Sequence, residues 1–215
     1  MCPTTTPKES KRSEPRERLL STAAGIFYAD GIRTVGIDRI IAEAGVTKAT
    51  FYRHFPSKED LVLAYLRKED TAIRHHLEPL STSLEPLDVL RAVGSGTADE
   101  LCRPGFRGCA FINAATEYPD PASPVRLLVD EHRAWFHQFV VDALSRAGHY
   151  DPEGGADHFA LMRDGAMIQG HLSDPTAAAA VFCDGIEGVI RVMQAGGLHG
   201  PEAHGRNVRS TTTGE

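Results

Sequence analysis

The sequence predicts an all-α protein. Apolar residues recur three and four positions apart along most of the 215 residues, which places them on one face of successive helices. Prolines and glycines separate these segments, and no segment alternates apolar and polar residues between hairpin turns, as a half-buried strand would. The length allows one sizeable domain, or one small and one larger domain.

The N-terminal part of the chain predicts helices that end at glycines. Residues 1–14 are polar and rich in charge, which predicts a disordered arm. Pro15 can begin the first helix, because the first helical position does not need its N–H group, and Gly31 ends that helix. A short second helix is expected over residues 37–44, with Gly45 as its end.

Two further helix starts carry capping residues. Thr47 can cap a third short helix that runs to about His54. Ser57 with Asp60 three residues later suits the start of a fourth helix, which continues to about His76.

The remainder of the chain predicts a larger helical body. Apolar residues at helical spacing mark five more segments, 86–102, 108–117, 124–147, 156–171 and 175–195. We therefore expect a small N-terminal helical unit over residues 15–60, a larger helical body over 61–199, and a disordered tail over 200–215.

Charge and cysteine content limit the classes of function. Residues 1–70 carry 12 Lys and Arg against 10 Asp and Glu, whereas the remaining residues carry 11 against 19. Only the front of the chain is therefore suited to meet a polyanion. No apolar run could span a membrane or act as a secretory signal, so we expect a cytoplasmic protein without a membrane partner. The four cysteines fit neither a disulfide framework nor a common zinc pattern.

Neither a metal nor another cofactor is predicted. His75 and His76 are adjacent and cannot share a helix face, and His132 and His137 lie five apart rather than three or four. An enzyme that uses Cys109 as a nucleophile is disfavoured, because no nucleophile–base pattern with a recognisable oxyanion site is present.

The segment from 37 to 54 has the outline of a helix-turn-helix. Phe51 and Phe55 lie four apart and should anchor the second helix to the core. Lys48 can then reach phosphate or guanine acceptors, and Tyr52 can give its hydroxyl to a phosphate. Lys58 stands in the first turn of the next helix, where backbone N–H groups already favour an anion.

The sequence IIAEAGVTKATFYRHFPSKEDL resembles the DNA-binding signature of the TetR family of bacterial transcriptional repressors, whose usual pattern is close to IAxxAGVSxGTxYxHFxSKxxL. The match covers residues 19–66. Gly36 stands where the family often has a hydroxyl residue, and Thr34 is the nearby candidate for that contact. The resemblance implies DNA contacts by Thr34, Thr47, Lys48, Ala49, Tyr52, His54 and Lys58.

The same resemblance implies a repressor that binds a palindromic operator as a homodimer and is released by a small-molecule effector. It implies a DNA-binding domain over residues 15–60 and a helical effector-binding and dimerisation domain over 61–199. In the family the last two long helices form a four-helix bundle with those of the partner, which assigns the segments 156–171 and 175–195 to that role. The interface or core residues expected there are Ala178, Phe182, Gly185, Ile186, Val189 and Met193. Packing within a single chain is the alternative for these residues.

The segment PGFRGCAFINAATEYPD is the most unusual part of the body. Cys109, Asn113 and Glu117 follow one another at four-residue spacing and could orient a ligand in an apolar pocket with Trp135, Phe139 and Met162. A core cysteine, a structural Asn and a surface Glu are the alternative. A third hypothesis is a regulator that senses oxidants or electrophiles through Cys109, with Arg107 activating the thiol.

Overall fold

The computed structural model describes residues 10–196, with side chains from 15 to 191. Those residues form helices and connecting turns, without a strand among them. The helices are α1 Ser10–Asp30, α2 Ile37–Ala44, α3 Lys48–His54, α4 Lys58–Leu77, α5 Leu80–Ser83, α6 Pro86–Leu101, α7 Ala110–Glu117, α8 Pro124–Arg146, α9 Pro152–Leu172 and α10 Pro175–Gly196. The all-α prediction is therefore confirmed.

Two helix starts differ from the sequence prediction, and one short helix was not predicted. Helix α1 begins at Ser10, so Pro15 lies inside the helix rather than at its start. Residues 10–14 are thus helical and not part of a disordered arm, while residues 1–9 and the proposed tail over 200–215 lie outside the described residues. Helix α9 begins four residues earlier than expected, because Pro152 occupies its first turn and the Asp151 carboxylate accepts the N–H of Gly154. The one-turn helix α5 was not predicted.

Helices α1, α2 and α3 pack together as a small N-terminal unit. Its interior is apolar and almost fully shielded from solvent, because each short helix turns one stripe of large side chains inward. The buried side chains include Leu19, Phe27, Ile40, Phe51 and Phe55. Burial of these side chains removes about 1.5–3 kcal/mol each of unfavourable hydration, which is what holds such short helices in place.

A larger helical body follows. Helix α10 packs on α6 and α9, and α8 packs on α4, α7 and α9. Helix α10 comes close to α6 at Gly94, where an added Cβ would lie 2.5 Å from Cδ1 of the buried Ile186. A side chain at residue 94 would therefore force the end of Ile186 to move.

Helix α4 joins the two units, since it packs against α1 on one side and α8 on the other. The expected domain boundary after residue 60 falls in the first turn of this helix and stays a prediction. None of the described helices combines the length and apolar character that a membrane crossing needs.

Candidate nucleic-acid interface and effector cavity

A tight turn orients helix α3 against helix α2. Gly45 adopts the left-handed conformation with a φ of 62°, which an L side chain rarely tolerates, and its N–H donates to the carbonyl of Ala42. Two residues later, the hydroxyl of Thr47 accepts the N–H of Thr50 at 3.1 Å and caps α3. Phe51 and Phe55 are buried, so the opposite face of α3 points away from the core.

The outward face of α3 carries polar side chains, and the buried aromatic rings of the same helix lie beneath them. The side chain of Lys48 is 67% exposed and lies 3.6 Å from Asp38, a surface pair that contributes little to stability. Tyr52 is 43% exposed, and its ring meets Phe51 edge to face at a centroid distance of 5.2 Å. Ala49 and Arg53 are also exposed. The structure thus brings Thr47, Lys48, Ala49 and Tyr52 to one surface.

The other three residues predicted to contact DNA are partly buried or already hydrogen-bonded within the protein. Thr34 is exposed, but its hydroxyl donates to the carbonyls of Asp30 and Gly31 and so closes the end of α1. His54 is partly buried, and its Nε2 atom has no hydrogen-bond partner among the described residues. Lys58 is partly buried with its Nζ atom 6.0 Å from the centre of the Phe27 ring, and burial lowers the pKa of its ammonium group.

Two side chains connect the body to this N-terminal unit. The carboxylate of Glu117, at the end of α7, accepts the N–H groups of Ile32 and Arg33 at 2.8 and 2.5 Å. The hydroxyl of Tyr28, in α1, donates to the carbonyl of Gly108 and accepts the N–H of Arg107, both at 2.9 Å. Helix α7 and the turn before it are therefore hydrogen-bonded to the segment that leads into α2.

A cavity of about 290 Å³ lies between α1, α4, α7, α9 and the end of α6. Its wall combines aromatic rings, two carboxylates and a thiol. The residues concerned are Tyr28, Tyr65, Glu69, Glu100, Cys109 and Phe111. This volume is at the lower end of ligand-binding pockets, which run from about 300 to 1,000 Å³.

Of the six side chains predicted to form an effector pocket, only Cys109 reaches this cavity. Asn113 donates from Nδ2 to the carbonyl of Arg107 at 2.9 Å, and Asn113 and Glu117 line a separate polar crevice beside α1. The structure therefore does not place Asn113 and Glu117 beside Cys109, because both side chains are engaged with the backbone, and a role for them toward a ligand stays a prediction.

The three apolar members of that predicted pocket lie elsewhere. Trp135 packs beneath the guanidinium of Arg74, which lies 4.4 Å from its ring centre, and Phe139 is buried beside Trp135. Met162 lies in a groove between α9 and α10. Helical spacing shows which apolar side chains share a helix face, but not which neighbouring helix will cover that face.

Comparison with known proteins agrees with this geometry. Residues 19–65 match the family model described as "Bacterial regulatory proteins, tetR family". The crystal structure of a TetR-family transcriptional regulator from Streptomyces coelicolor is 49% identical to this chain, over 84% of this chain and 96% of that one, with a TM-score of 0.82. The chain belongs to the TetR family. It is a DNA-binding transcriptional regulator with an N-terminal helix-turn-helix unit.

Two curated TetR-type regulators are also similar. The transcriptional regulator AcuR of Cereibacter sphaeroides is 29% identical over 201 residues, which cover 87% of this chain and 84% of AcuR. The transcriptional repressor NemR of Escherichia coli is 28% identical over 121 residues, or 55% of this chain and 61% of NemR. The likeness thus extends beyond the DNA-binding unit into the body.

Several cavity residues of this TetR-family chain were missed by the sequence reasoning. Tyr65, Glu69 and Ile73 lie at four-residue spacing on α4 and line the cavity together. A carboxylate between two apolar residues on one helix face was the available signal, because such a group is rarely turned toward a core without a partner.

The residues predicted to form the dimer interface differ in their exposure in the structure. Phe182 and Ile186 are buried within the chain, against Phe159 and Gly94 respectively, which fits the alternative that they belong to the core, and an interface role for them stays a prediction. Ala178, Gly185 and Val189 are partly exposed, and the side chain of Met193 lies outside the described residues. The large apolar side chains exposed on α9 and α10 are Leu161, Ile168, Leu172 and Val181.

Proposed function

We propose that this TetR-family regulator is a homodimeric repressor that binds a palindromic operator and is released when a small molecule occupies the cavity. The observation that carries the proposal is the position of α7. Cys109 and Phe111, at its start, line the cavity, and Glu117, at its end, receives two N–H groups from the segment before α2. A ligand that displaces α7 would therefore shift the helix-turn-helix unit.

The exposed face of α3 supports the DNA-binding part of the proposal. A short helix with Lys48 and Tyr52 outward can enter the major groove, which is about 12 Å wide. One such helix reads few bases, so two copies spaced by about 34–36 Å are needed for a specific site. A DNA-binding regulator must be in the compartment that contains the DNA, and we therefore propose a cytoplasmic location.

The apolar face on α9 and α10 supports the homodimer. Leu161, Leu172 and Val181 are each at least 70% exposed in the single chain. Ile168 is also exposed, and Val181 lines a groove of about 520 Å³ between α9 and α10 whose lining is mostly apolar. A second copy that packs its α9 and α10 on this face would remove these side chains from water.

A gel-shift titration tests the proposal. DNA from upstream of the protein's own gene should bind tightly and in a salt-sensitive manner, and Tyr52→Ala should weaken binding by about tenfold or more. Tyr150→Ala is the matched control, because Tyr150 is 75% exposed on the turn between α8 and α9. Equal loss in both variants, or none in Tyr52→Ala, would refute the assignment of α3.

Sensing through the Cys109 thiol is a second candidate mechanism for release. Cys109 lies on the cavity wall, whereas Cys102 is exposed outside it. N-ethylmaleimide, which alkylates a single thiol, should then release wild-type protein and Cys102→Ser from DNA, but not Cys109→Ser. Release of all three proteins would assign the response to another group.

A further inference from the structure

The cavity contains polar groups that the protein itself does not satisfy. Tyr65 is only 3% exposed, yet its hydroxyl makes no hydrogen bond within the described part of the chain. Glu69, one turn further along α4, is partly buried and has neither a hydrogen bond nor an ion pair with any described residue. Both side chains line the cavity, where polar groups without a protein partner are free to bind a ligand.

The electrostatic environment favours a cation at this position. Burial raises the pKa of the Glu69 carboxyl and the nearby charge of Glu100 raises it further, while the charges of Lys68 and Arg103 lower it, each by less. Burial and the Glu100 charge both disfavour the ionised carboxylate, and a positive charge placed beside Glu69 would offset both.

The two arginines on the cavity wall already have other partners. Arg103 lies 3.8 Å from the Glu100 carboxylate. The guanidinium of Arg163 stacks 4.8 Å above the ring of Phe136 and lies 3.9 Å from Asp164. Glu69 therefore has no ion-pair partner within 4 Å among the residues described, and Lys68 and Arg103 act on its charge only from a greater distance.

We propose that this cavity binds a small organic amine in its protonated form, with the ammonium group at Glu69 and Tyr65 and the apolar part against Phe111 and Met167. An ammonium group has N–H donors for both unsatisfied oxygens. The aromatic walls also attract a cation through their ring faces. This inference rests on the proposed function, because it names the chemical class of the effector.

Calorimetry with three probes of matched shape tests the charge preference. Phenethylammonium should bind the purified full-length protein, 2-phenylethanol should bind at least about tenfold more weakly, and 3-phenylpropanoate should not bind measurably. Equal or tighter binding of the anion, or no binding of the ammonium probe at millimolar concentration, would overturn the inference.

Two substitutions test the position of the ammonium group. Glu69→Gln keeps the shape of the side chain but removes its charge, and it should weaken ammonium binding by about tenfold or more. Tyr65→Phe should weaken it by a smaller factor. Glu131→Gln, an exposed change on α8, is the control and should bind as the wild type does. Undiminished binding in Glu69→Gln, with thermal unfolding unchanged, would contradict the assignment.

A gel shift on the same samples without probe separates this inference from the proposed function. Protein that binds operator DNA but no ammonium probe would refute only the ligand class. Protein that binds the probe in a Glu69-dependent way but no DNA would refute only the repressor proposal.

Discussion

Oε1 of Glu117 lies 2.8 Å from the backbone nitrogen of Ile32, across 85 residues of sequence. The second oxygen of the same carboxylate takes the N–H of Arg33. One side chain of the body thus satisfies two consecutive backbone donors in the turn between α1 and α2. We expect this contact to stabilise the fold and to transmit displacement of α7.

Glu117→Ala should lower the free energy of unfolding by about 2 kcal/mol, because it leaves the partly buried N–H of Ile32 without an acceptor. Urea unfolding followed by circular dichroism measures the change. Glu131→Ala removes an exposed carboxylate from α8 and should change stability by less than about 0.5 kcal/mol. Equal stability of the two variants would show that the Glu117 contact is not formed in solution.

Lys48→Ala should reduce the salt dependence of operator binding. If Lys48 neutralises one phosphate in each half-site, the slope of log K against log salt should become less negative by about 0.9 for each lost contact. Binding isotherms between 50 and 200 mM salt measure this slope. Lys68→Ala, on the exposed side of α4 where the lysine pairs with Glu17, changes the net charge equally and should leave the slope near that of the wild type.

Val181→Asp should separate the proposed dimer into monomers. Val181 is 72% exposed in the single chain, and enclosing a carboxylate in an apolar interface costs several kcal/mol. Light scattering after size exclusion should give twice the 23.3 kDa chain mass for the wild type and one chain mass for the variant. Leu127→Asp, at a 57% exposed position on α8, should remain dimeric. A monomeric wild type at micromolar concentration would rule the dimer out.

His132 should make the protein less stable as the pH falls below about 6.5. Its ring is 3% exposed, stacks on Phe111 at 3.6 Å, and lies with Nδ1 2.7 Å from Asp70. Burial lowers the pKa of His132 despite Asp70, so the unfolded chain takes up the proton first. Stability is then lost progressively from the unfolded pKa near 6.5 down to the folded pKa.

The variant His132→Gln isolates that contribution. Urea unfolding at pH 7.5 and 5.5 should show a smaller loss for His132→Gln than for the wild type, by up to about 1.4 kcal/mol per pH unit in the affected range. His171→Gln, at an exposed position, should behave as the wild type does. An unchanged pH dependence in His132→Gln would mean that another group is responsible.

Local chemistry made the front of the molecule predictable from sequence. Residue type and spacing within a few positions predict the left-handed Gly45, the caps at Thr47 and Ser57, and the burial of Phe51 and Phe55. The direction of Lys48 and Tyr52 follows in turn, because the apolar stripe fixes which face of α3 is left outside.

The body was less predictable, because its important contacts join residues far apart in sequence. Periodicity shows that α9 is amphipathic, but it does not show that Met167 faces the cavity while Met162 faces α10. Nor does it show that Glu117 will bond to a backbone 85 residues away. Pro152 also misled the prediction, since a proline can begin a helix as well as interrupt one.

Because Gly94 has no side chain, the end of Ile186 packs close to α6 and holds α10 against it. We therefore expect α6 and α10 to move together rather than to slide past each other. Their joint movement would reach the N-terminal unit through the contacts that connect the two units, which include the hydrogen bonds of Tyr28 and Glu117 and the packing of α4. A substitution that enlarges residue 94 would then affect operator binding from a position far from the DNA.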